Sequence, residues 1–264
     1  MQVAILIPTY RTEFNHYEIN SILRVIKLYQ NKFDIFFICP ENIKNRLNNF
    51  NINVESFPNI FFSNHSYYNK LCMDKILYNR FKKYEYILIS QIDSLILDDK
   101  LKYWCEHNIS YIGAPSYHKK LFSKKPKSPK FFCNGGFSLR KVEDFVNLLD
   151  SDSIYLQNID LKIINQICFR GYFFKFMKLL IKSVYFRNKN YFIRNFFLNE
   201  DVFYTYFAKL FYNKFKVPKD TKQCAYFALS EGVEYYIEKY NQIPFGIHGY
   251  NKKIDLLLKK RKFI

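Results

Sequence analysis

This sequence predicts an α/β fold with a mostly parallel central sheet, and three observations predict it. Short β-rich apolar runs recur at Val3 to Ile7, Asp34 to Cys39 and Tyr86 to Ile89, as strands buried on both faces require. Segments with helical spacing lie between them, and βαβ alternation of that kind gives parallel strands flanked by helices on both faces. Asp93 stands just past the third run, where open α/β sheets bind their ligands.

Taken in order, the first strand is Val3 to Ile7, ended by Pro8-Thr9-Tyr10-Arg11. Glu18 to Leu28 carries apolar residues at helical spacing (Ile19, Ile22, Leu23, Ile26). Asp34 to Cys39 is the second strand, closed by Pro40, and Ile52 to Phe57 reads as a third. The spacing predicts one amphipathic helix over Tyr67 to Phe81. Tyr86 to Ile89 is the next strand, and Leu95-Ile96-Leu97 reads as another, leading into a turn at Asp98 and Asp99. Gly113 and Gly135-Gly136 mark two turns. Between them Lys119 to Lys130, with Pro126 and Pro129 and no acid, predicts an exposed basic loop: a solvated segment, or a lid over a negatively charged ligand.

From 170 to 197 the chain changes character. Lys175, Lys178 and Lys182 interrupt an otherwise apolar, aromatic run at i, i+3 and i+7, on one helical face. Arg170, Arg187, Lys189 and Arg194 flank it. The stretch fits a surface helix packed on the core by its apolar side, or a basic helix lying in a membrane interface. We read residues 1–264 as a single domain, with 170–197 as a helical insertion that is a candidate for membrane association.

The chain is 49% hydrophobic, which provides for a full core. Its formal net charge is +18. That charge fits an anionic partner such as a nucleotide, a nucleic acid or an acidic membrane, or it reflects the Lys, Asn, Ile, Phe and Tyr bias of AT-rich coding. No RNA- or DNA-binding motif accompanies it. The six cysteines include no CxxC pair, which argues against structural zinc and against a disulfide framework, and points to a reduced cytoplasm. Met1 to Pro8 lacks the basic region and apolar length of a signal peptide. No apolar run is long enough for a transmembrane helix.

Four segments carry candidate chemistry. Asp93 can hold a divalent cation, or merely cap a helix. Asn134-Gly135-Gly136 lets backbone approach a ligand closely, or forms a plain hairpin turn. The chain has seven glycines, and five of them (Gly113, Gly135, Gly136, Gly246, Gly249) fall in these segments. Glu200 and Asp201 precede a helical pattern; they serve as dipole partners, or as a general base on an acceptor hydroxyl. His248, between Gly246 and Gly249, is a surface or structural histidine, or a metal ligand.

Together these segments resemble a bacterial and fungal family of glycosyltransferases of the GT-A fold, long catalogued only as a domain of unknown function. The match runs in order through Ile7-Pro-Thr-Tyr-Arg11, Phe57-Pro-Asn-Ile-Phe-Phe62, Tyr86-Ile-Leu-Ile-Ser-Gln-Ile-Asp93, Tyr111-Ile-Gly-Ala-Pro115 and Asn134-Gly-Gly-Phe-Ser-Leu-Arg140. It closes with Asn199-Glu-Asp201, Phe227 to Glu231 and Phe245-Gly-Ile-His-Gly-Tyr250. The resemblance implies a GT-A-like, Rossmann-like sheet followed by a basic, aromatic-rich helical C-terminal portion. It implies a nucleotide-sugar donor held by a divalent cation, Mn2+ or Mg2+, on Asp93 and His248. Gln91 stands where the first acid of the DXD motif is expected, which weakens the cation's hold or makes it dispensable. Arg11, Gln91, Asp93, Asn134, Gly135 and Gly136 would line donor and acceptor. Asp201 would be the base of an inverting transfer, with Glu200 orienting the acceptor; in a retaining enzyme these roles change. The acceptor would be a surface glycan, free or lipid-linked, reached from the cytoplasm at the inner face of an anionic membrane. Two other readings compete: a basic nucleic-acid-binding protein, and a GT-A-like domain that binds glycans without catalysis.

Overall fold

In the computed structural model the described residues are 1–47, 50–116, 132–150, 154–155, 172–185, 188–240 and 243–263. The N-terminal half runs β1 (Val3–Pro8), α1 (His16–Tyr29), β2 (Asp34–Pro40), β3 (Asn53–Phe57), α2 (His65–Cys72), α3 (Lys75–Arg80), β4 (Tyr86–Ser90) and β5 (Ser94–Ile96). It continues with α4 (Leu101–Glu106), β6 (Tyr111–Ser116), β7 (Phe132–Lys141) and α5 (Val142–Asp150). Then come α6 (Tyr172–Tyr185), α7 (Lys189–Arg194), α8 (Glu200–Val202), α9 (Thr221–Phe227), β8 (Ala228–Leu229), α10 (Val233–Tyr240), β9 (Gly246–His248) and α11 (Lys252–Lys260).

The central sheet has the order β3-β2-β1-β4-β7-β6. β1 to β4 are mutually parallel, whereas β7 runs antiparallel to both β4 and β6. The predicted α/β class and mostly parallel sheet are therefore correct. β1 is buried at every position and β4 likewise, as central strands covered on both faces must be. Alternate β1 residues enter different cores. Ala4 and Leu6 join the cluster shared with α2, α3, α5 and α6, while Val3, Ile5 and Ile7 join the cluster shared with α1 and α4. β5, β9 and β8 form a second, small sheet with β9 in the middle.

Two local expectations are corrected. The single helix over Tyr67 to Phe81 is two helices, because Asp74 caps the second, its carboxylate accepting from the Ile76 amide at 2.9 Å. A side chain that bonds its own backbone in this way interrupts a helix rather than continuing it. The glycine turns are strands: Gly113 lies in β6 and Gly135-Gly136 in β7. The pairing of β6 and β7 jumps from Gly113 opposite Ser138 to Ala114 opposite Asn134, so β7 bulges across 135–137. Gly113 makes room for that bulge, since a Cβ there would stand 2.1 Å from the Asn134 carbonyl oxygen. The basic loop 119–130, and Arg170 and Arg187, lie outside the described residues.

Candidate functional site

The strand order turns between β1 and β4: the chain leaves β1 toward β2 and β3, then returns to β4 on the other side. Crevices of open α/β sheets form at such switch points, beyond the carboxyl ends of the strands. A cavity of about 520 Å3 lies there. The end of β1 supplies Pro8, Thr9, Tyr10 and Arg11; the end of β4 supplies Gln91, Ile92 and Asp93. The start of α2, with His65 and Tyr68, closes the third side. Arg11 lines this cavity, but its guanidinium is already committed, 2.5 Å from Glu18 and bonded to the Glu13 carbonyl. Its effect is to fix the loop between β1 and α1.

Asp93 and His248, 155 residues apart in sequence, meet because β5 pairs antiparallel with β9, setting Ser94 opposite His248. The imidazole Nε2 stands 3.5 Å from Asp93 Oδ1 and 3.0 Å from Gln91 Oε1. Among the described residues no group of three or more His, Cys, Asp and Glu could hold a metal. The third donor here is the Gln91 amide oxygen. Neighbouring donors on one octahedral ion, with bonds of about 2.1 Å, stand about 3 Å apart, the separation of the imidazole Nε2 and the Gln91 amide oxygen. Burial lowers the His248 pKa, against the pull of Asp93, and keeps the ring neutral as a ligand must be. Gly136 admits the ring: a Cβ there would stand 2.3 Å from His248 Nε2.

The acids sit against the preceding residue. A Cβ on Gly135 would stand 2.1 Å from Glu200 Oε1. Glu200 is buried and pairs with buried Arg140 at 2.9 Å. Arg140 also bonds Tyr78 Oη at 2.9 Å and Ser138 Oγ at 3.1 Å. The rings of Tyr111, Phe145 and Tyr204 surround its guanidinium at 5.4, 5.8 and 5.7 Å. The other carboxylate oxygen of Glu200 has no partner. Asp201, also buried, accepts from the Val202 amide at 2.7 Å. Its pKa is pushed up to about 8, first by burial and second by the charge of Glu200. A π-turn over Phe203–Phe207 follows at once, a distortion that often marks functional sites.

The structure thus brings Gln91, Asp93, Gly136 and His248 together, and Gly135, Glu200 and Asp201 together, on consecutive residues of one strand. Asn134 orders that bulge by accepting from the Gly136 amide at 2.9 Å. Sequence reasoning missed Arg140 and Tyr68. Tyr68 lines the cavity, yet its buried hydroxyl has no oxygen or nitrogen partner and feels the charges of Arg140 and Glu200. It joins the cavity to the acids. Arg140 closes a recognised motif, and a buried arginine demands an acid; nothing local to Tyr68 signals its role.

A family profile described as "Protein of unknown function (DUF5672)" matches residues 51–248, and the chain belongs to that family. No curated protein matches. Among solved structures the chain is similar to a glycosyltransferase involved in glycosylation of the major capsid of PBCV-1, with 12% identity, all of both chains covered and a TM-score of 0.48. It is similar to the glycosyltransferase GlyE of Streptococcus pneumoniae TIGR4 at 11% identity and TM-score 0.43, covering 96% of this chain but 55% of that one. A third likeness is to the galactosyltransferase LgtC in complex with donor and acceptor sugar analogs, with 11% identity, 96% and 88% of the chains covered and a TM-score of 0.44. At such scores these likenesses say nothing about mechanism.

Proposed function

We propose that the chain is an inverting glycosyltransferase that moves a sugar from a nucleotide-sugar donor to a glycan hydroxyl. One observation carries the reading. The Gly135-Gly136 bulge sets a buried acid pair and a Gln-Asp-His donor set on adjacent residues, at the edge of a cavity at the sheet's switch point. The donor nucleotide occupies that cavity. Gln91, Asp93 and His248 would hold a divalent cation, which supplies charge neutralisation at the departing diphosphate. Asp201 accepts the proton of the acceptor hydroxyl as that oxygen bonds the anomeric carbon. The bond from that carbon to the diphosphate breaks, and its electron pair leaves with the diphosphate. Arg140 holds Glu200, whose unpartnered oxygen offers an acceptor for the incoming hydroxyl.

The surface of α6 favours an acceptor at an anionic membrane. Phe176, Leu179 and Leu180 are buried in the core, so the apolar side of α6 is an ordinary packed face. The opposite face carries Lys175, Lys178 and Lys182 beside Phe174, Ile181 and Tyr185, the latter three 75%, 61% and 80% exposed. No acid occurs in α6. Interfacial helices combine lysines and exposed rings in this way. No helix among the described residues is long and apolar enough to cross a membrane.

The test is a thermal-shift series with nucleoside diphosphates, with and without manganese, followed by donor hydrolysis. Asp93→Ala and His248→Ala are each expected to abolish manganese-dependent stabilisation. Asp201→Asn is expected to lower turnover by about 10² or more with donor affinity kept. Wild-type turnover in Asp201→Asn would remove the base. Nucleotide binding without hydrolysis of any nucleotide sugar would make the chain a binding domain, and retention on DNA without nucleotide binding would make it a nucleic-acid binder.

A further inference from the structure

A second cavity, of about 710 Å3, opens between α4, α9 and the segment leading into β9. It shares no lining residue with the cavity at the strand ends. Its size is that of a small-molecule site. Two exposed tyrosines, Tyr103 and Tyr226, line it. Trp104 packs beside Tyr103, with ring centroids 5.4 Å apart, and beside His107 at 5.2 Å. Rings exposed within a concave setting of mixed polarity are surfaces on which an amphipathic ligand can stack.

Polar groups converge on the same hollow. His107 Nδ1 donates to the Tyr103 carbonyl at 2.9 Å, which leaves Nε2 for a second partner. Asp220 commits one oxygen to the Gln223 amide at 2.8 Å and has a second.

Charge and shape narrow the occupant. Lys100 pairs with Asp98 at 2.5 Å; Lys222 is matched in number by Asp220 in the same lining, and its Nζ lies 5.7 Å from the Tyr226 ring centroid, which leaves the other face of that ring for a ligand. In a chain of net charge +18 this cavity is close to neutral, which disfavours a phosphate or nucleic acid. A smaller cavity of about 120 Å3 shares Lys222, Tyr226 and Ile243 with it, so a second hollow adjoins the first at Tyr226. A linear, uncharged molecule with apolar faces and hydroxyl edges fits both features.

We infer that this groove binds an uncharged oligosaccharide, with one sugar ring stacked on Tyr226 and hydroxyls bonded to Asp220, Gln223 and His107. Phe245 ties the groove to the strand-end site. It lines the cavity, packs 5.5 Å from Phe137 of the β7 bulge, and directly precedes β9. The groove would hold an acceptor glycan away from its reacting end; that role, unlike the binding itself, rests on the proposed glycosyl transfer.

The experiment titrates the full chain with the neutral tetrasaccharides of glucose, N-acetylglucosamine, mannose and galactose, followed by saturation-transfer NMR. A nucleoside diphosphate is titrated in parallel. At least one tetrasaccharide is expected to bind wild type. Tyr226→Ala, at an exposed position, is expected to weaken that binding about tenfold, a loss typical of one stacked ring. Tyr103→Ala should weaken it less, and neither variant should alter nucleotide binding. Failure of all four sugars to bind wild type, or an unchanged Kd in both variants, overturns the inference. Sugar binding without nucleotide binding would instead sink the transferase reading and leave the groove standing.

Discussion

Asp201 ties the acid pair to a stability measurement that needs no substrate. Its pKa is about 8 in the folded chain, against an ordinary value of 3.8. Burial is the main cause and the charge of Glu200 the second. The folded state therefore holds one more proton than the unfolded chain across that window. The resulting stabilisation is fully present below the unfolded pKa and is lost as pH rises through about 8. One extra proton changes stability by about 1.4 kcal/mol per pH unit. Asp201→Asn is nearly isosteric and cannot titrate, so any fixed cost of the substitution shifts its curve without tilting it. Urea unfolding of both proteins is the assay. Between about pH 5 and pH 7, wild type should lose about 3 kcal/mol relative to Asp201→Asn. Parallel curves would mean that Asp201 is an ordinary ionised acid, and its selection as base would lose its physical ground. If the slope is found, only about one-tenth of Asp201 is ionised at pH 7, and turnover should climb toward pH 8.

Glu200→Gln removes the second cause of that shift, so the inflection of the same curve should move to lower pH; an unmoved inflection would leave burial as the sole cause. Gly136→Ala should abolish manganese-dependent nucleotide binding while the fold survives, because the new methyl meets the movable His248 ring; retained binding would place His248 outside the site. Arg140→Met strands a buried Glu200 and should cost about 3–5 kcal/mol in urea unfolding, with Arg140→Met/Glu200→Gln recovering most of it. An equal loss in the double variant would show that the ring cage, not the ion pair, is what Arg140 supports. Changing Lys175, Lys178 and Lys182 together to Glu should release the protein from acidic vesicles at low salt, each lysine contributing about 1 kcal/mol. Wild type that never sediments with such vesicles would remove the membrane from the proposal.

What was legible in the sequence was whatever local pattern dictates. β1, β2 and β4 announce themselves as unbroken apolar runs, and Asp93 follows from where β4 ends. The scarcity of glycine pointed to residues 135 and 136, though not to what they do. Their role appears only when His248 and Glu200 arrive from 112 and 65 positions away. β7 itself reads as a turn, because its bulge places two glycines mid-strand where propensity speaks against a strand. The Arg140–Glu200 pair spans 60 residues and leaves no periodic trace. Along α6 the lysine spacing was visible. Which rings stay outside was not, since an aromatic residue packs a core as readily as it caps a surface.

The small sheet has a consequence for how the molecule is made. β9 is its middle strand yet follows every other strand among the described residues. As a ribosome extrudes the polypeptide, the six strands of the large sheet have all emerged by Lys141. N-terminal regions fold first during synthesis, so the walls of the strand-end cavity can form early. β5 and β8 then wait without the strand that joins them, and Asp93 sits at the end of an unpaired edge. Only when residues 246–248 emerge does the imidazole slot in over Gly136. A product stopped short of β9 would carry the cavity but not the His248 ring.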